Sequence, residues 1–247
     1  MSDSVQKSTR GEKPGYYWES RSFAIGIVSI LPLVVLYHFG IVQSGYSVRN
    51  IAEVWLTGPL DLIGLHAAHV LNVMLVVALV ALLWHSGERE SFSFLTIAVM
   101  IAESAVYAAL LCKGAPALAG LVSERASQVF FSIQWQRSAP LLLALGAGVY
   151  EELFFRLLIL GGGALAMQRV FMWNKKWSVG AMLVISSVLF AAAHHVGPLG
   201  QDFQAYDFLF RAICGVLLGV LFLTRGVGVT VWTHAIYNAL VILQRAG

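Results

Sequence analysis

The chain has 247 residues, of which 58% are hydrophobic and only 12% are charged, and its formal net charge is +3. Soluble domains carry about 25% charged residues, so this composition excludes an ordinary soluble domain and favours one integral membrane domain. The basic residues lie at the ends of apolar runs, which is typical of topology signals rather than of a nucleic-acid-binding surface. We therefore expect no nucleic acid among the partners.

The N-terminal residues 1–21 are polar and mildly basic, and we predict that they form a cytoplasmic segment before an integral membrane domain over residues 22–247. Four basic side chains precede the first apolar run: Lys7, Arg10, Lys13 and Arg21. By the positive-inside rule they place the N-terminus in the cytoplasm. Further basic residues fall on the same side if the segment 115–131 does not cross the membrane: Arg169, Lys175, Lys176 and Arg225.

Long apolar runs predict an all-α fold, a polytopic integral membrane bundle of about seven or eight helices, because a spanning helix needs about 20 apolar residues. The predicted spans are 22–42, 60–84, 92–112, 140–167, 178–196, 206–223 and 227–243. The run 115–131 is ambiguous because it is short and contains Glu124 and Arg125. An interfacial or re-entrant segment would suit it.

Three ionisable residues interrupt the apolar stretch GAGVYEELFFRLLIL, which covers residues 146–160. A charge at the bilayer centre costs about 2.5–3.5 kcal/mol on insertion scales, so such residues usually pair or take part in chemistry. Glu152 and Arg156 are four residues apart and share one face of a helix. We predict that Arg156 holds Glu152 and leaves Glu151 free, although a purely structural ion-pair cluster is an equally good interpretation.

Two further apolar helices carry histidines. In FAAAHH, His194 and His195 follow three alanines, and only His194 stands four residues after Phe190 on the same face. In HAIYN, His234 and Asn238 are again four residues apart. Interhelical hydrogen bonding explains each motif alone.

Taken together, these residue types suit peptide hydrolysis. A buried carboxylate can deprotonate water, and a histidine can share that role or protonate the leaving amine. A second histidine with an asparagine can stabilise the oxyanion of a tetrahedral intermediate.

The three motifs resemble those of the CPBP family, the CAAX proteases and bacteriocin-processing enzymes also called Abi proteins. EELFFR matches the family pattern EExxxR, FAAAH matches FxxxH and HAIYN matches HxxxN, in the family order. The resemblance covers a protease-like core over residues 140–243. Leu157 departs from the pattern, because glycine often follows the arginine in the family.

The resemblance implies a glutamic-type intramembrane endopeptidase. Glu151 then corresponds to the base that activates water and His194 to its partner, while His234 and Asn238 correspond to the oxyanion pair. The remaining motif residues have supporting roles: Glu152 and Arg156 order the site, and Phe190 packs against it. The implied substrate is a membrane-anchored protein or peptide with a lipidated or hydrophobic C-terminal segment. No cofactor is implied. The short loops between the predicted spans favour a prokaryotic protein, so we expect the bacterial inner membrane as its location.

Three alternatives remain. A zinc enzyme would recruit Glu151, His194 and His234 with a water molecule, but no HExxH motif is present. A proton-linked transporter would also use intramembrane ionisable residues, but the sequence shows no internal repeat of the kind common in transporters. A catalytically idle scaffold or immunity protein of the same fold is the third.

Other intramembrane polar residues are expected to find partners within the bundle. We expect Glu103 to pair with Arg156 or Arg211, and Asp207 with Arg211 four residues later. His66, His69 and Asn72 line one side of the second predicted span and suggest interhelical hydrogen bonds.

Overall fold

A computed structural model describes residues 15–43, 50, 52–56, 77, 93–122, 141–196 and 200–246. These residues form helices and contain no strand, which confirms the predicted all-α fold for them. The helices are α1 (Tyr16–Ser20), α2 (Phe23–Gln43), α3 (Phe94–Val122), α4 (Leu141–Glu151), a π-helical segment (Glu152–Gly162), α5 (Gly163–Arg169), α6 (Lys175–Ala193), α7 (Ala205–Arg225) and α8 (Val227–Ala246). Residues 52–56 add a short helix after α2.

Four of these helices are long and apolar enough to cross a membrane, and they contain the segments Phe23–Ile41, Phe94–Leu121, Lys175–Ala193 and Ala205–Arg225. The apolar part of α8, Val227–Leu243, is shorter. A helical membrane bundle is therefore the architecture. The predicted span 60–84 with His66, His69 and Asn72 lies outside the described residues except for residue 77, and Glu124 and Arg125 also lie outside them.

The helix α3 differs from the prediction. We expected a span that ends at Cys112 and a separate segment over 115–131, whereas one helix continues through Pro116 to Val122. Proline removes one helical hydrogen bond, so packing must stabilise this continuation. Ala115 and Ala119 are fully buried against α7 and supply that packing.

Small residues let the helices approach closely around α8, which carries His234 and Asn238. A Cβ atom added to Gly228 of α8 would lie 2.8 Å from the Cα atom of Gly26 in α2. A Cβ atom on Gly148 of α4 would lie 3.0 Å from the backbone nitrogen of Ala235. Small residues at helix contacts are a general feature of membrane bundles, because they allow backbone-to-backbone packing. Here they bring α2 and α4 onto α8.

A cluster of polar residues joins α1 to the end of α7, and it corrects the expected partner of Glu103. Arg225 donates from Nε and Nη2 to the two carboxylate oxygens of Glu103, with both distances 2.7 Å. Nη2 of Arg225 also donates to Ser20 Oγ at 2.9 Å, and the Tyr16 hydroxyl donates to Glu103. Burial and the contact with Glu103 raise the pKa of Tyr16 to about 12. Arg225 therefore lies at the same end of the described bundle as α1.

The contact between Gly228 and Gly26 gives a test of the packing. We expect Gly228→Ala to lower the thermal unfolding midpoint in detergent micelles, with a loss of about 1–3 kcal/mol, because the added methyl group overpacks the backbone of α2. Gly180→Ala is the matched control, since a Cβ atom there has no neighbour within 4 Å. Equal midpoints for the two variants would contradict the close approach of α8 and α2.

Candidate active site

Glu151 is the last residue of α4, and the helix changes its winding immediately after it. From Glu152 to Gly162 the backbone is π-helical, a rare form that is often found at functional sites. The wider winding alters the backbone hydrogen-bond pattern, and Ser186 of α6 donates from its hydroxyl to the carbonyl of Phe155 at 2.7 Å. The sequence predicted an ordinary helix here, because α and π segments share the same apolar composition.

The predicted pair of Glu152 and Arg156 is present and is fully buried. Arg156 Nε lies 3.1 Å from Glu152 Oε2. The same guanidinium donates from Nη2 to the carbonyl of Gly215 at 3.3 Å and has its Cζ atom 4.4 Å from the centroid of the Phe190 ring. Arg156 therefore connects the π-helical segment to both α6 and α7.

His234 lies between the two glutamates. Its Nδ1 atom is 2.7 Å from Glu152 Oε1, and its Nε2 atom is 3.7 Å from Glu151 Oε2. A carboxylate only accepts hydrogen bonds, so with Glu152 ionised the short contact puts a proton on Nδ1. Glu152 thus fixes the orientation of the imidazole and turns Nε2 toward Glu151.

The structure also separates the two adjacent histidines. Nδ1 of His194 donates to the carbonyl of Phe190 at 2.8 Å, and the two rings meet edge to face with centroids 4.9 Å apart. Nε2 of His194 is therefore the ring nitrogen that does not contact this carbonyl and that is available for proton transfer. Nδ1 of His195 instead lies 3.1 Å from the carbonyl of Gln201. The predicted choice of His194 as the residue on the face of Phe190 agrees with this geometry.

Asn238 of α8 is buried and donates from Nδ2 to the carbonyl of Ala144 in α4 at 3.1 Å. One amide hydrogen therefore joins the two helices, and a second remains on the same nitrogen. The bond fixes the amide plane of Asn238 relative to Glu151, which lies two helical turns further along α4. The asparagine thus has a structural contact in addition to the catalytic role that the resemblance implies.

A small cavity of about 40 Å³ collects these groups. It is lined by Glu151, Phe190, His194, His234 and Asn238, together with Leu111, Phe210, Arg211, Cys214, Leu218 and Tyr237. Such a volume holds a water molecule, and the lining offers several polar partners for one. All four residues predicted to be catalytic thus face one cavity, and Glu152 and Arg156 lie directly behind it.

Arg211 was not predicted to line this cavity, because we assigned it to an ion pair with Asp207. The structure gives it other neighbours. Nη2 donates to Gln201 Oε1 at 2.5 Å, Nη1 lies 3.5 Å from His195 Nε2, and Asp207 Oδ1 has no hydrogen-bond partner among the residues that the structure describes. Spacing along α7 alone could not have identified Gln201, which precedes the helix.

Asn50 is the second residue that the sequence did not single out. Its Nδ2 atom donates to Glu151 Oε1 at 2.7 Å, across 101 positions of the chain. No motif surrounds Asn50, so nothing in the sequence related it to the glutamates. The described N-terminal half therefore reaches the site through at least this residue.

Within the described ranges, no group of three histidine, cysteine or acidic side chains has an arrangement that could hold a metal ion. Glu151, His194 and His234 share the cavity but do not form such a group.

The fold and the site define a helical membrane protein with a carboxylate, two histidines and an asparagine at a buried cavity. Residues 133–240 match a family model described as type II CAAX prenyl endopeptidase Rce1-like. The match confirms the predicted family resemblance and supports, at the level of the family, a membrane protease of the CAAX type. No curated protein and no solved structure matches the chain significantly.

The buried pair of Glu152 and Arg156 gives a second test. We expect Arg156→Met to lower the free energy of unfolding by about 3–5 kcal/mol, because it leaves the Glu152 carboxylate buried without its cation. Denaturation in mixed micelles measures this loss. The double variant Arg156→Met with Glu152→Gln removes the unpaired charge and should recover part of the stability. A single variant as stable as the native chain would show that the pair contributes nothing.

Proposed function

We propose that the protein is an intramembrane endopeptidase that hydrolyses a peptide bond of a membrane-associated protein with a water molecule activated by Glu151. The observation that carries this proposal is the cavity, which brings Glu151, His194, His234 and Asn238 together from three helices. The family match supports proteolysis of the CAAX type. The substrate would be processed near its C-terminus, either at a tail or at a sorting segment.

The proposed chemistry begins with a water molecule in the cavity. Glu151 takes a proton from this water as the oxygen attacks the carbonyl carbon of the scissile bond. His194 donates from Nδ1 to the carbonyl of Phe190, so its unprotonated Nε2 is the atom that receives the proton from Glu151. Nε2 then passes this proton to the amine nitrogen as the C–N bond breaks and the new carboxylate and amine ends separate. Both groups line the same cavity, which is the geometric requirement for such a relay.

The tetrahedral intermediate carries a negative oxygen that needs hydrogen-bond donors. His234 can donate from Nε2 when both ring nitrogens carry protons, and Glu152 holds Nδ1 throughout. The remaining amide hydrogen of Asn238 is the second donor. Donors held in place before reaction contribute most to such stabilisation, and loss of one typically lowers kcat about 10²–10³-fold.

The proposed location is the bacterial inner membrane, with the N-terminus in the cytoplasm. Supporting this orientation, Arg21 and Arg225 lie at the same end of the bundle, where Arg21 Nη2 donates to the carbonyl of Leu223 at 3.4 Å. The proposed partner is a membrane-anchored protein. Because the cavity lies inside the bundle, the segment to be cleaved would have to enter between the helices.

Replacement of Glu151 by glutamine tests the function. Glutamine has nearly the same shape but cannot act as the base, so we expect the Glu151→Gln protein to insert normally and lose cleavage. The measurement compares the termini of membrane proteins, by mass spectrometry, in cells that express the native chain or the variant. Glu19→Gln, on α1 and away from the cavity, is the matched control and should cleave normally.

New termini that depend on the native chain and disappear only in Glu151→Gln would establish proteolysis and identify the substrate class. Equal cleavage by native and Glu151→Gln proteins would overturn the role of Glu151. If the native chain generates no new termini even in its natural host, the proposed activity fails, and the idle scaffold and the transporter become the leading interpretations.

We further propose that hydrolysis needs no metal ion. Cleavage by the purified native protein should then survive dialysis against EDTA, because the base is a carboxylate rather than a metal-bound hydroxide. Loss of activity on dialysis and its return on addition of zinc would contradict this and favour a site that includes Glu151, His194 and His234.

A further inference from the structure

Asn50 contacts the proposed base directly and comes from outside the segment that matches the family model. Its side-chain nitrogen donates to Glu151 Oε1 at 2.7 Å. The other carboxylate oxygen, Oε2, faces His234. The two oxygens of Glu151 therefore have different neighbours, and the amide of Asn50 distinguishes between them.

The oxygen of the same Asn50 amide group also makes hydrogen bonds. Its Oδ1 atom accepts from the backbone nitrogens of Ala52 at 2.8 Å and Glu53 at 3.4 Å, so Asn50 caps the short helix over residues 52–56. Because Oδ1 is fixed by the helix start, Nδ2 of the same planar amide is directed toward Glu151. The amide of Asn50 thus caps the short helix through Oδ1 and contacts Glu151 through Nδ2.

Buried groups of α2 and the short helix support the backbone at Asn50. The Tyr37 hydroxyl accepts from the backbone nitrogen of Asn50 at 3.0 Å and donates to Glu53 Oε2 at 2.5 Å. Tyr37 and Glu53 are both fully buried. Trp55 also packs on Phe154, with ring centroids 5.7 Å apart, and so attaches the short helix to the π-helical segment.

We propose that Asn50 is a positioning residue that holds Oε1 of Glu151 and thereby directs Oε2 toward the cavity and the reacting water. This inference rests on the proposed function, in which Glu151 is the base. Asn50 contacts neither substrate nor water in this role, and it acts only through Glu151. The catalytic site consequently needs the N-terminal half of the chain as well as the three motifs.

The hydrogen bond is one of several influences on Glu151. Charged and titratable groups also lie near it, and they are Glu152 and Arg156 of the π-helical segment, His194 after α6, Arg211 of α7 and His234 of α8. Asn50, in contrast, is a neutral side chain that donates a hydrogen bond to Oε1. Its removal therefore changes the orientation of the carboxylate without the removal of a charge.

Asn50→Ser separates the two roles of the side chain. Serine is as good a helix cap as asparagine, but its hydroxyl is too short to cap the helix and reach Glu151 together. Asn174→Ser is the matched control, because Asn174 caps α6 through Oδ1, which accepts from the backbone nitrogen of Lys176 at 2.8 Å, far from the cavity.

The first measurement is infrared spectroscopy of the purified protein in micelles, at an acidic pH where Glu151 is protonated. The C=O band of Glu151 is assigned as the band that disappears in Glu151→Gln. Loss of a donated hydrogen bond moves this band to higher frequency, so we expect the shift in Asn50→Ser and not in Asn174→Ser. An unchanged band in a folded Asn50→Ser protein overturns the inference.

The second measurement is cleavage of a fluorogenic peptide with an S-farnesylated CAAX terminus. We expect kcat of Asn50→Ser to fall by about 10²-fold, as for a small misplacement of a reacting group, with little change in KM. A raised KM with unchanged kcat would assign Asn50 to substrate binding instead and overturn the positioning role. Activity in Glu151→Gln would refute the proposed base, whereas loss in Glu151→Gln with full activity in Asn50→Ser would refute only the inference about Asn50.

Discussion

The buried ion pair of Glu152 and Arg156 is the interaction on which the rest of the site depends. A guanidinium without access to water is tolerated only when a carboxylate and further hydrogen bonds compensate its lost hydration, which is worth several kcal/mol. Glu152 supplies the opposite charge, the carbonyl of Gly215 accepts a hydrogen bond, and the ring of Phe190 covers the flat face. These contacts join three helices at one point.

The same pair determines the direction of the neighbouring imidazole. Glu152 uses Oε2 for Arg156 and Oε1 for His234, so the histidine is fixed relative to the arginine. Phe190 has its ring against Arg156 and against both histidines, His194 and His234, which sets the width of the cavity between them. Arg156 forms its ion pair with Glu152, and the adjacent carboxylate of Glu151 faces the cavity. Two consecutive glutamates thus have separate environments.

The family match covers residues 133–240, yet the surroundings of Glu151 extend beyond it. Asn50 donates a hydrogen bond to Glu151, and the Tyr37 hydroxyl of α2 accepts one from the backbone nitrogen of Asn50. The described N-terminal residues therefore contribute contacts to the site in addition to the three motifs. They restrain the one carboxylate that the ion pair leaves free, and close glycine contacts such as Gly228 on Gly26 hold α2 where it can do so.

The sequence by itself determined the features that depend on one helix. Apolar length predicted the all-α membrane fold, and four-residue spacing predicted the contact of Glu152 with Arg156 and the choice of His194 beside Phe190, because the geometry of a helix fixes these relations. Tertiary structure alone decided which helices meet. Glu103 pairs with Arg225 across 122 positions, and Asn50 reaches Glu151 across 101. Such contacts follow from which faces are buried and where small residues permit close approach, and no local spacing encodes them.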